Sequence, residues 1–104
     1  MKQLTVIVRP FRAEAVLQAI AAIGVTAGVV REAKGYGRQK GYLERYVGSE
    51  YSLAFLPKVE ITVWVSDGQA QAVTEQIIKT ARTGRIGDGK IFVLDLALPE
   101  PREF

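Results

Sequence analysis

The sequence predicts an α+β fold, a four-stranded antiparallel sheet carrying two helices on one face and built from a strand-helix-strand unit used twice. Three observations predict it. Residues 4–8 and 59–65 alternate apolar and polar side chains with a period of two, each run leads into a stretch of helical spacing, and the two halves are similar in length. With 104 residues, 48% of them apolar, the chain can bury one core and hardly two, so residues 1–104 are read as a single domain.

In the first strand Leu4, Val6 and Val8 alternate with Gln3, Thr5 and Arg9, and Pro10 ends the run. From Arg12 the spacing changes to steps of four and three at Val16, Ile20 and Ile23, the stripe of a helix for which Gly24 supplies the C-cap. Residues 25–34 are rich in β-branched and small side chains and predict a second strand that ends in the loop Gly35-Tyr36-Gly37. The third strand is read from Val59, Ile61, Val63 and Val65, alternating with Glu60, Thr62 and Trp64. Ser66, with Gln69 three residues on, has the form of a capping box, and Ala70, Val73, Ile77 and Ala81 make the stripe of a second helix ending near Gly84. Residues 90–96 close as a strand whose apolar run Ile91-Phe92-Val93-Leu94 predicts cover on both faces, from the sheet's own layers or from a neighbouring subunit. This order most simply forms a ferredoxin-like βαβ-βαβ sheet.

Between the halves, residues 35–57 show no clear period, and a loop of that length in so small a domain points to function. It carries Tyr36, Tyr42, Tyr46, Tyr51 and Phe55, aromatics divided between packing on the body and contact with partners, with Tyr36 assigned to packing.

Composition excludes several chemistries. There is no Cys and no His, which removes disulfides, thiolate catalysis, zinc sites and Ser-His triads. Fourteen Lys and Arg against eleven Asp and Glu give a formal charge of +3, a slight preference for anions that falls short of a nucleic-acid footprint. The patterned N-terminus does not read as a signal peptide and no apolar run approaches membrane-spanning length, so a cytoplasmic protein is expected, touching membranes only through a partner.

Two segments carry candidate binding chemistry. Thr83-Gly84-Arg85-Ile86-Gly87-Asp88-Gly89-Lys90 combines three glycines, which let backbone N–H groups approach an anion, with a lysine charge; the same residues equally make a helix C-cap and a tight turn. Lys34-Gly35-Tyr36-Gly37-Arg38-Gln39-Lys40-Gly41 is a second glycine-rich loop with three cations, in which Arg38 can grip phosphate oxygens bidentately; a solvated basic turn accounts for it as well. Trp64 lies on the strand face opposite the core set, where a subunit interface or a stacking surface for a base would cover it.

Taken together, these segments resemble the PII signal-transduction family: 37–55 is similar to its T-loop and 82–90 to its B-loop. Arg9-Pro10-Phe11, Gly48-Ser49-Glu50-Tyr51 and Phe55-Leu56-Pro57-Lys58-Val59 extend the resemblance over residues 2 to about 95. It implies a homotrimeric regulator, not an enzyme, that binds ATP or ADP between subunits and controls a transporter or enzyme through the T-loop. Ile7, Gly35, Gly37, Arg38, Trp64, Gly87, Asp88, Gly89 and Lys90 would bind the nucleotide. Gln39, Lys40, Gly41 and Lys58 would hold a carboxylate metabolite such as 2-oxoglutarate, with Gln39 joining Mg²⁺ on the phosphates. Tyr51 stands where some members are uridylylated.

The resemblance has departures. The family's basic C-loop, of the form Arg-x-Arg-Thr-Gly, has no match in 96–104, where Arg102 is the single cation, and Val29, Trp64 and Tyr42-Leu43-Glu44-Arg45 differ from the usual residues. These departures fit an alternative, a specialised PII-like protein that binds ADP or AMP with bicarbonate in inorganic-carbon regulation. A rival of another class is an RNA-recognition module, since Lys34-Gly35-Tyr36-Gly37 opens like its signature, but the aromatics that should follow are replaced by Arg38-Gln39-Lys40.

Overall fold

The computed structural model describes residues 1–37, 54–97, 102 and 104. Along the chain these form β1 (Lys2–Val8), α1 (Pro10–Ala21), β2 (Val29–Gly37), β3 (Ala54–Val65), α2 (Asp67–Ala81) and β4 (Gly89–Asp95). The strands make one sheet in the order β2-β3-β1-β4, every neighbouring pair antiparallel, which is the ferredoxin-like arrangement.

Alternation decides the faces. Leu4, Val6 and Val8 of β1 and Ile61, Val63 and Val65 of β3 point to one side, where they are buried against Val16 and Ile20 of α1 and Val73 and Ile77 of α2. Pro10 ends β1 and also opens α1, since its fixed φ suits the first helical position and its missing N–H has no partner to lose there. At the other end of α1, Gly24 takes φ +98°, and Val25 N–H turns back to Ile20 C=O at 2.9 Å, which tucks the Val25 side chain into the core. For α2, the Gln69 amide oxygen accepts from both the N–H and the hydroxyl of Ser66, the helix start that the Ser-Gln spacing predicts.

Three expectations change. Residues 25–28 are not strand: after the Gly24 turn the chain passes close over β3, where a side chain on Gly28 would meet Thr62 C=O at 2.6 Å. Gly35-Tyr36-Gly37 continues β2, and 54–58 belongs to β3, with Tyr36 opposite Phe55 and Lys34 opposite Pro57. Pro57 is tolerated because β1 stops at Val8, opposite Val59, so among the described residues β3 pairs there with β2 alone. Tyr36 is not packed on the body: it is 73% exposed, and its ring faces that of Phe55 with centroids 6.1 Å apart.

The cover predicted for β4 is not provided by the sheet. β4 is an edge strand, and Phe92, Val93 and Leu94 are each about half exposed in the single chain. On the helix-free face Phe92 lies in register with Thr5 and Leu94 with Gln3, and Gln3 is opposite the 40% exposed Trp64. Among the described residues no helix is long and apolar enough to cross a membrane.

Candidate functional site

The site forms where the ends of β1, β2 and β3 meet the 82–90 loop. Thr83 to Asp88 leaves α2 through two left-handed glycines, Gly84 at φ +87° and Gly87 at φ +86°, a path that side-chain-bearing residues resist. Asp88 holds this turn closed. Its carboxylate accepts from Thr83 N–H at 2.6 Å, Gly84 N–H at 2.9 Å and the Thr83 hydroxyl, and Arg9 Nε donates to it from the end of β1 at 3.3 Å. The Thr83 hydroxyl above all, then the two N–H groups and the guanidinium, hold this carboxyl well below the usual carboxylate range, so it is a structural anion.

Gly89 then enters β4 against Val8, so close that a Cβ on it would stand 2.6 Å from Ile7 C=O. This contact fixes Lys90 opposite Ile7. From β3, Lys58 is 8% exposed: its stem lies across Gly35, where a Cβ would come 3.2 Å from Lys58 Cγ, and its Nζ donates to Gly87 C=O at 2.9 Å. Gly89 is therefore needed for close approach, and a Cβ at Gly35 would press on the Lys58 stem.

These elements enclose a cavity of about 320 Å³ whose charged lining is Lys34, Lys58 and Lys90, with Ile7 as an apolar wall and Gly35, Gly87 and Gly89 as backbone surface. Among the described residues no carboxylate lines it. Among the described residues, the N–H groups of Gly87 and Asp88 find no acceptor within the chain. Cations and unpaired amides on a glycine-rich turn are the donor set that phosphates and carboxylates require.

Burial pushes the Lys58 ammonium below its ordinary pKa, and the nearby Arg9 charge adds to this, while Asp88 opposes it. The unfolded chain therefore binds more protons than the folded one between that depressed value and 10.5, so folding stability should rise with pH across this window. Melting curves of the wild type and Lys58→Met over alkaline pH should show a shallower rise in the variant; identical slopes would exclude Lys58 as the source.

The cavity gathers Ile7, Gly35, Lys58, Gly87, Gly89 and Lys90 from the residues that the sequence singles out. Gly37 lies further along β2, opposite Ala54, and Asp88 faces back into its own turn. Trp64 is not in this cavity. It is six residues from Lys58, about 20 Å along an extended strand, and its Nε1 donates to Gln3 Oε1 at 3.0 Å. Arg38, Gln39, Lys40, Gly41 and Tyr51 lie outside the described residues. Among those described, no group of three or more His, Cys, Asp or Glu could hold a metal ion. Sequence reasoning missed the closure of the turn by Arg9, whose only signal was a cation at the polar phase of β1 immediately before Pro10.

Fold and site together define a small ferredoxin-like domain with a cationic, glycine-lined cleft at one end of its sheet. The sequence profile of the nitrogen regulatory protein P-II family matches residues 1–98. The chain is 50% identical over 97 residues to nitrogen regulatory protein P-II of Klebsiella oxytoca and to nitrogen regulatory protein P-II 1 of Escherichia coli K12, covering 93% of this chain and 87% of each relative. It is 52% identical over 96 residues to nitrogen regulatory protein GlnK of Escherichia coli K12, covering 92% of this chain and 86% of that protein. The protein belongs to the P-II family.

Proposed function

We propose that the protein is a trimeric cytoplasmic regulator, without catalytic activity, that binds an adenine nucleotide together with a small anionic effector and controls a partner protein through the T-loop. The observation that carries this reading is the cavity lined by Lys34, Lys58 and Lys90 beside the unpaired amides of Gly87 and Asp88. The amides suit phosphate oxygens, and Lys90, fixed opposite Ile7, supplies a charge at the same place. Lys58, buried and with no carboxylate in salt-bridge contact among the described residues, suits the acid group of an effector such as 2-oxoglutarate. Mg²⁺ would come with the phosphates, as hard cations take oxygen ligands, with Gln39 as the protein's contribution.

The trimer is supported by the uncovered apolar side chains of the helix-free face, Trp64, Phe92 and Leu94, which a neighbouring copy would remove from water. Light scattering coupled to gel filtration should return three chains per particle.

Calorimetric titration with ATP, ADP and AMP, each with Mg²⁺ and with 2-oxoglutarate or bicarbonate, tests the ligand assignment. ATP binding strengthened by 2-oxoglutarate supports the regulator that the names of the relatives suggest, one of nitrogen metabolism. ADP or AMP binding coupled to bicarbonate places it in inorganic-carbon regulation instead. Absence of nucleotide binding overturns both.

A further inference from the structure

We propose that Arg9 is a positioning residue for the anion-binding turn: it sets the backbone of residues 84–89 for phosphate capture without itself being the ligand's partner. The proposal rests on the nucleotide reading given above and deepens it. Arg9 reaches the turn at two points, donating from Nη2 to Ile86 C=O at 2.9 Å and from Nε to Asp88 at 3.3 Å. A planar guanidinium can hold two acceptors in one fixed geometry, which a single ammonium cannot.

The consequence follows from peptide geometry. In a trans peptide the C=O of one residue and the N–H of the next point in opposite directions. Arg9 draws in the carbonyl of Ile86 and Lys58 that of Gly87, so the N–H groups of Gly87 and Asp88 are turned away from these two cations. Neither amide has an acceptor among the described residues. The clamp is needed because Gly84 and Gly87, on either side of Ile86, leave the turn conformationally free. Arg9 is itself well anchored, between the register pair Val8–Gly89 and the first residue of α1, Pro10. The clamp also continues inward, since the Asp88 that it holds gathers Thr83 and Gly84.

The test compares wild type, Arg9→Lys, Arg9→Gln and Asp88→Asn by amide hydrogen exchange of the unliganded protein and by calorimetry with ATP and with adenosine. A positioning role predicts exchange at Thr83 and Gly84 faster by about tenfold or more, ATP bound about tenfold or more weakly, and adenosine bound as before. Arg9→Lys should lose as much as Arg9→Gln, and adding Asp88→Asn to either should cost little more, because the residues act as one unit. Full rescue by lysine would show that Arg9 supplies charge alone and would overturn the proposal, as would unchanged exchange in all variants. If the wild type binds no ATP, the nucleotide reading fails, and the exchange data still decide whether Arg9 orders the turn.

Discussion

Ile61→Ala is expected to remove about 2–5 kcal/mol of folding stability, the range for deleting a buried isoleucine side chain and leaving part of its volume empty. Ile61 is fully buried, lies on central strand β3 in register with Val6 of β1 and Val30 of β2, and belongs to the core cluster beneath both helices. Nothing near it can readily close the gap, because its neighbours Leu4, Val6 and Val63 are held by sheet register and are themselves buried. For a domain whose whole stability is about 5–15 kcal/mol, this is a large share. Urea denaturation at fixed protein concentration measures it: the midpoint should fall while the slope is unchanged. A loss below about 1 kcal/mol would show that the core is looser than the geometry indicates.

The second large effect is expected at Gly89→Ala, in binding more than in stability. One added methyl would stand 2.6 Å from Ile7 C=O, a backbone atom that cannot rotate away, so β4 must separate from β1 where the cavity wall is formed. Overpacking of this kind costs about 1–3 kcal/mol. The same displacement moves Lys90 off its place opposite Ile7 and shifts the amides of the preceding turn, so nucleotide affinity should drop below detection while the fold persists. Circular dichroism and calorimetry on one preparation separate the two effects. Wild-type affinity in a destabilised protein would mean that the position of β4 does not determine the site.

What could be read from the sequence follows its local physics. The alternation of Leu4, Val6 and Val8, the Ser66–Gln69 cap and the stripe Ala70, Val73, Ile77, Ala81 depend on neighbours in the chain, and each appears where the spacing places it. The misreadings come from tertiary context. Val25 looks like strand but serves the core from a turn, and Gly35 and Pro57 look like loop but pair in β2 and β3, because an edge position accepts a proline and the Lys58 stem lies across Gly35. At the site, the glycines and lysines were legible as residue types. The use of Arg9 was not, since a contact across 79 positions leaves no local pattern.

The pH dependence at Lys58 and the anion site share one cause. A buried cation crowded by Arg9 gains most when an anion arrives, so binding should be accompanied by proton uptake at alkaline pH, where Lys58 is partly neutral in the free protein.

The most direct test of the central claim, that phosphate is held by the turn before β4, is to follow the backbone amide resonances of Gly87, Asp88 and Gly89 by NMR while ATP is added. The account predicts that these three amides move most, saturate together with the calorimetric heat, and stay in place when adenosine is added instead. ATP that binds with these resonances unmoved, or that does not bind, would contradict it.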